Sequence, residues 1–247
     1  MPRAGELTYY DAIGECGRLF ALNKPFSQTE CGLQLMQVGA ILELLPPPPA
    51  RVLDCGCGTG WLSYFLQKRG YDVVGIDVAP RAIELALTHT FFHDLEPPDF
   101  QVADCEDLPF VEEFDAVVFF DSLHHAINEQ QAIASAYRAL RSGGVCIASE
   151  TNKGHAHKAR EVADRYDVTE KDMPPAHIGQ LGRVAGFSKI NFYPRADNIG
   201  SCLLHPRPPG PPWLSQLMEK CWPLRALAVL YLTTWGRTSR GITVLHK

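Results

Sequence analysis

The chain has 247 residues, 46% of them hydrophobic, with 23 Lys and Arg against 28 Asp and Glu and a formal net charge of -5. That length and apolar content suit one elaborated domain with a substantial core. Scattered basic residues in an acidic chain leave no footprint for a polyanion, so no nucleic-acid partner is expected. The N-terminus has no apolar signal core, and the 8 cysteines form neither C-x-x-C pairs nor a disulfide-like framework. Free thiols in a cytoplasmic protein are the expectation.

Residues 1–45 read as an N-terminal cap, and the first strand is predicted at 50–54. A helix follows over 61–69, with Leu62, Phe65 and Leu66 on one face and Gly70 as its stop. A second strand is predicted at 72–76 and a helix at 81–90 after Pro80, with Ile83, Ala86 and Leu87 inward. Strands three, four and five fall at 100–103, 116–120 and 145–149, with a helix before the fifth that places Ile133, Ala136, Tyr137 and Leu140 on one face. Strands alternating with helices predict a parallel sheet covered on both faces. Further helices are expected near 157–165 and 178–185, a sixth strand at 189–193, a Pro-rich stretch at 206–212, an apolar helical segment at 213–235 and a closing strand at 242–246.

The most informative stretch is Asp54-Cys-Gly-Cys-Gly-Thr-Gly60 with Asp77 after it. An apolar run ends in an acid, a glycine-rich turn opens a helix, and a second apolar run ends in another acid. This is the layout of a nucleotide-type site at the edge of a parallel sheet. The spacing G-x-G-x-G puts Trp61 where a dinucleotide fold would keep its third glycine. Asp54 would repel a pyrophosphate and welcome a cationic amino group. Together these favour a ligand that is nucleoside at one end and amino acid at the other, with Asp77 on the ribose hydroxyls.

Asp54-Cys-Gly-Cys-Gly-Thr-Gly60 resembles motif I of the class I S-adenosylmethionine-dependent methyltransferases, of the type 11 kind. Val102-Ala-Asp-Cys-Glu-Asp-Leu-Pro-Phe110 is similar to the family's adenine-recognition segment, Phe114-Asp-Ala-Val-Val-Phe-Phe-Asp121 to its fourth strand, and Leu140-Arg-Ser-Gly-Gly-Val145 to the turn into its fifth. The resemblance implies an α/β Rossmann-like sheet of seven strands, the seventh antiparallel, with helices on both faces and 195–240 inserted between strands six and seven. It implies S-adenosyl-L-methionine as cofactor. The cofactor-binding residues it points to are Asp54, Gly56, Cys57, Gly58, Gly60, Asp77 and Val78, with Asp104 and the Cys105 backbone N–H for the adenine.

Methyl transfer from a sulfonium needs positioning, and a base only when the acceptor must lose a proton. Asp121-Ser-Leu-His124-His125, just past strand four, offers His124 or His125 as that base, with Asp121 as the orienting or acceptor-binding carboxylate. Asp121 could also be grouped with His124, His125, His155 and His157 around a metal. No helical i, i+4 pair or zinc-type spacing supports that grouping, so no metal site is expected.

Three pieces leave the carboxyl edge of the sheet, namely 1–45, 150–177 and 195–240, and all three are expected to roof the pocket. Segment 213–235 is interrupted by Glu219, Lys220, Pro223 and Arg225, too often to span a bilayer. It is expected to be a lid, with an interfacial helix at the inner membrane face as the alternative. The runs Asp167-Val-Thr-Glu-Lys-Asp-Met-Pro-Pro175 and Asn23-Lys-Pro-Phe-Ser27 resemble bacterial methyltransferases that accompany glycosyltransferases in surface-polysaccharide assembly. That likeness implies O-methylation of a glycan or lipid-linked sugar, which predicts an open polar groove. A small metabolite, natural product or amine as acceptor predicts a closed, mainly apolar pocket under 195–240. A non-catalytic cofactor-binding partner of a membrane assembly predicts binding without turnover.

Overall fold

A computed structural model describes residues 2–88, 96–204 and 211–247. The end of the helix expected at 81–90 and most of the Pro-rich stretch at 206–212 lie outside the described residues. The chain opens with three helices, α1 (Ala4–Ala12), α2 (Gly14–Leu22) and α3 (Cys31–Leu44). The core then alternates: β1 (Arg51–Cys55), α4 (Trp61–Arg69), β2 (Asp72–Asp77), α5 (Pro80–Leu87), β3 (Asp99–Val102), β4 (Phe114–Phe120), α6 (Glu129–Ala139) and β5 (Leu140–Ser149). Next come α7 (His155–Lys158), α8 (Arg160–Tyr166), α9 (Pro175–Ala185) and β6 (Lys189–Pro194). The last part holds α10 (Ala196–Leu204), α11 (Pro212–Lys220), α12 (Trp222–Thr233) and β7 (Gly241–His246).

The seven strands form one sheet in the order β3-β2-β1-β4-β5-β7-β6. β1 to β5 are parallel, and β7 runs antiparallel to both β5 and β6. This is the predicted class I methyltransferase sheet. The period of two along each strand sends alternate side chains into two cores. Leu53, Val117 and Phe119 face α6 and α9 with Ile133, Ala136 and Ile178, while Val52, Ala116 and Val118 face α3 and α4 with Val38, Ile41, Leu62 and Leu66. Gly70 stops α4 in the left-handed conformation at φ 105°.

The chain order reverses at β1, with β2 on one side and β4 on the other, so the carboxyl ends of β1 and β4 diverge and leave a crevice. Helices α1 to α3 close over that crevice. The segment expected as one helix at 213–235 breaks at Cys221, because Pro223 is tolerated in the first turn of α12 but not inside a continuous helix. Its Trp213, Trp222, Leu227, Leu230, Tyr231 and Trp235 are exposed. Among the described residues, no helix is long and apolar enough to cross a membrane.

Candidate active site

The crevice holds a cavity of about 290 Å³. Its floor is the turn after β1. Gly56 and Cys57 both donate their backbone N–H to the Ile76 carbonyl at 2.8 Å, which ties this turn to β2. Gly58 sits at φ +54° and donates its N–H to Asp77 Oδ2 at 2.9 Å, while the Ala79 N–H donates to Asp77 Oδ1 at 2.9 Å. One backbone donor on each oxygen fixes the plane of the carboxylate and leaves each oxygen a further lone pair toward the cavity. Burial pushes the Asp77 carboxyl up from its ordinary range, against the pull of those two N–H groups.

Asp77, Val78, Asp104 and Cys105 all line the cavity. Asp104 Oδ1 accepts the Glu106 N–H at 2.9 Å and caps the short turn that carries Cys105. Glu106 Oε1 in turn accepts from the Ile127 and Asn128 N–H groups at 2.7 and 3.0 Å, locking this turn to the segment after β4. Burial pushes the Cys57 and Cys105 thiols well up, so both are inert lining groups.

Two of the predicted cofactor residues are placed elsewhere. Asp54 is 2% exposed and lies off the cavity wall; its Oδ2 accepts from Ser63 Oγ at 2.6 Å, beneath the turn. Burial raises its carboxyl to about 7, so at neutral pH it is not the fixed anion that the electrostatic argument required. Its role is to hold the first turn of α4 to β1. Gly60 also lies off the wall. At φ +78°, a Cβ there would come within 2.5 Å of the Phe100 ring, so this glycine serves the packing of α4 on β3.

The opposite wall comes from the N-terminal cap. Glu6, Tyr9, Tyr10, Ala21, Lys24 and Gln34 face the cavity. A Cβ on Gly58 would stand 2.7 Å from the Tyr10 hydroxyl, so the ring of α1 rests on the glycine turn. Burial, with the Asp77 charge adding, pushes the Tyr10 hydroxyl well up and keeps it a donor. No signal in the sequence marked Tyr10. Of the expected roof pieces, 1–45 and 150–177 supply lining residues, the latter through Val162, Val168 and Glu170. None of the described residues of 195–240 does. The insertion packs α10 on α3 and α12 on α10 instead. Its contribution to the site is indirect: Arg195 Nη1 donates to the Glu150 carbonyl at 2.8 Å and lies 3.9 Å from Asp121 Oδ1.

The acceptor end is built around the carboxyl ends of β4 and β5. Asp121 sits in the left-handed region at φ +49°, which Asp tolerates better than most residues, and its N–H donates to the Ser149 carbonyl at 3.0 Å. Its carboxylate lines the cavity, and burial raises it from the ordinary range. His125 lines the cavity and His124 is buried behind it. Nδ1 of His124 lies 2.8 Å from Glu150 Oε2, and Nδ1 of His125 lies 2.7 Å from the Thr169 carbonyl, to which it donates. Glu150 also accepts the Ser122 and Leu123 N–H groups at 3.0 and 2.8 Å. Burial alone would raise Glu150, but His124 and these donors outweigh it and hold the group below its ordinary value.

For His125, burial pulls the imidazole down, yet Glu6, Glu170 and the Thr169 carbonyl outweigh that and lift it to about 9. A ring lifted that far favours the protonated form at neutral pH, in which it donates and does not serve as the expected base. His124, between Glu150 and Glu170, is not on the cavity wall. Three carboxylates unmarked as site residues in the sequence thus organise the histidines, Glu150 and Glu170 around His124 and Glu6 and Glu170 around His125. Glu150 follows an apolar strand as Asp77 does, which is the signal that could have found it.

Residues 53–148 match the family model for a methyltransferase domain. The chain is 33% identical over 147 residues to the ubiquinone biosynthesis O-methyltransferase of Xanthomonas axonopodis pv. citri, and 31% identical over 147 residues to that of Alkalilimnicola ehrlichii. These matches cover 59% of this chain and 56% and 55% of the relatives, so the chain spans a little over half the length of the curated relatives it matches. Among solved structures, a SAM-dependent methyltransferase from Thermotoga maritima superposes with TM-score 0.61 at 16% identity, covering 98% of this chain and 99% of that one. The [4+2]-cyclase SpnF superposes with TM-score 0.57 at 18% identity, covering 97% and 94%. At such identities the structural likeness establishes the fold alone, and a cyclase among the neighbours shows that this fold serves more than one chemistry. Residues 53–148 thus match a methyltransferase domain, and the seven-stranded sheet that contains them has the fold of the solved methyltransferases.

Proposed function

We propose that this chain transfers a methyl group from S-adenosylmethionine to a hydroxyl oxygen of a small acceptor held beneath the N-terminal cap. The observation that carries this reading is one continuous cavity whose wall runs from Gly58 and Asp77 to Asp121, His125 and Glu170. It brings a nucleoside-type end and a polar, proton-handling end into one space. The curated relatives named O-methyltransferases support oxygen as the acceptor atom.

The cofactor supplies an activated methyl on a sulfonium with a neutral leaving group. The protein supplies the rest. Asp77 and Asp104 orient the nucleoside end, the α1 residues Tyr9 and Tyr10 keep water out, and the histidine and glutamate cluster receives the acceptor hydroxyl, which needs help losing its proton. A glycan or lipid-linked sugar would need an open groove. The wall of Tyr9, Tyr10 and Val162 closes that side, which supports a small acceptor over an extended one.

The test is calorimetric titration with S-adenosylhomocysteine, followed by methyl transfer from labelled cofactor to a panel of phenols, hydroxy acids, simple sugars and amines. Saturable binding with label on a hydroxyl compound is the expected result. No binding by folded protein, or label on amines alone, would overturn the reading.

A further inference from the structure

His124 and His125 follow β4 and Glu170 follows α8, so they are well separated in sequence, yet one ligand-type atom of each lies within 4.8 Å of the other two. Nδ1 of each ring is already engaged, by the buried Glu150 carboxylate at 2.8 Å for His124 and by the Thr169 carbonyl at 2.7 Å for His125. Metal-binding histidines show this arrangement: an outer acceptor on one nitrogen fixes the tautomer and turns the other toward the ion. For His124 the free nitrogen is Nε2, and it stands 3.5 Å from Glu170 Oε2. Two donors held about 2.1 Å from one ion at a tetrahedral angle lie about 3.4 Å apart. His155 Nε2, 2.6 Å from the same oxygen, holds the carboxylate as an outer partner.

The set is asymmetric with respect to the cavity. His125 and Glu170 face it, while His124 closes the rear. Three protein ligands with an open side are the mark of a catalytic rather than a structural ion. Two imidazoles and one carboxylate favour a first-row transition dication such as Zn²⁺, Fe²⁺ or Co²⁺, whereas Mg²⁺ and Ca²⁺ prefer all-oxygen shells.

We propose that His124, His125 and Glu170 bind one divalent transition-metal ion whose open side faces the cavity and takes an acceptor oxygen. An oxygen held there gives up its proton far more readily than in water. Ion binding stands on the geometry of the cluster alone, while the acceptor-oxygen role rests on the methyl-transfer reading, and the two can fail separately.

The test uses tag-free, chelator-treated full chain titrated with Co²⁺, followed by visible absorption and by calorimetry. One ion per chain is expected, with nitrogen and oxygen d–d bands and no thiolate charge-transfer band, which separates this site from the free cysteines. Glu170→Gln and His125→Asn should each weaken the ion at least about 30-fold, and Glu150→Gln, a positioning change, about 10- to 100-fold. His157→Gln, at an exposed residue outside the cluster, should leave affinity unchanged. Circular dichroism and S-adenosylhomocysteine titration of the metal-free variants report folding and the cofactor end independently. Absence of saturable binding in folded wild type overturns the proposal. So does a thiolate spectrum, or binding that neither Glu170→Gln nor His125→Asn alters.

Discussion

Replacing Asp54 with Asn removes an ionisable group whose burial sets one term in the pH dependence of stability. The carboxyl is 2% exposed and titrates at about 7 in the fold, against 3.8 for an unperturbed group. Well below pH 3.8 it is neutral in both folded and unfolded chains and has no effect. As pH rises, the unfolded chain ionises first, and stability falls until the folded carboxyl also ionises near 7. Above that the full cost persists. The shift of about 3 units corresponds to about 4 kcal/mol as an upper limit, at about 1.36 kcal/mol per unit. Between pH 5 and pH 8.5 about 2 of those units are traversed, so the stability of Asp54→Asn relative to wild type should increase by about 2 to 3 kcal/mol. Urea unfolding of both proteins at the two pH values measures this directly, and any pH-independent effect of the amide cancels in the difference. If the gap between the proteins is the same at both pH values, Asp54 is not the neutralised, Ser63-bound group described above.

At Asp77, Asn has one oxygen for the two backbone donors of Gly58 and Ala79, so Asp77→Asn should weaken S-adenosylhomocysteine by about 1.5–3 kcal/mol, read by calorimetry. Gly58→Ala places a Cβ 2.7 Å from the Tyr10 hydroxyl at a positive φ, and should cost about 1–3 kcal/mol of stability by thermal melting; Tyr10→Phe should recover part of it, and no recovery would place the strain in the backbone alone. Arg195→Met leaves the Glu150 carbonyl and Asp197 without their guanidinium and should destabilise the chain by about 2–4 kcal/mol, with a loss under 1 kcal/mol refuting its bracing role. Trp222 and Trp235 are 62% and 78% exposed, so changing both to Ser should alter stability by no more than about 0.5 kcal/mol. That makes the pair a clean probe of the alternative reading of 213–235 as a peripheral membrane contact: loss of vesicle co-sedimentation supports the contact, and unchanged co-sedimentation refutes it.

The alternating core was legible because each signal was local. The apolar run at 51–55 is followed at once by its glycine turn, and α4 both shows its face in Leu62 and Leu66 and ends where Gly70 says it should. The cavity floor at Gly56, Gly58 and Asp77 followed from the same locality. Asp54 was misplaced because a carboxylate's charge is a property of its surroundings, and Ser63 and the burial of β1 cannot be weighed from the motif. The insertion was misplaced for a geometric reason. It leaves the carboxyl edge at β6, but β6 lies three strands away from β4, too far along the sheet to cover the β1–β4 crevice. Glu170 and Lys24 lay in the runs 167–175 and 23–27, whose likeness gave no role; their convergence on one cavity depends on contacts across more than 140 residues.

Tyr10 resting on the glycine turn has a consequence for the order of events. A nucleoside cannot settle against Gly58 and Asp77 from the outside while α1 lies across them. Exchange of spent for fresh cofactor through that face would require α1 to move away and return, a movement that would also uncover the acceptor end lined by Glu6 and Tyr9. Turnover would then be paced by the hinge around Ile13 and Gly14, where α1 meets α2 and Gly14 takes φ +69° with open space around it. A segment so far from the reacting atoms in sequence would set the rate while the sheet stays still.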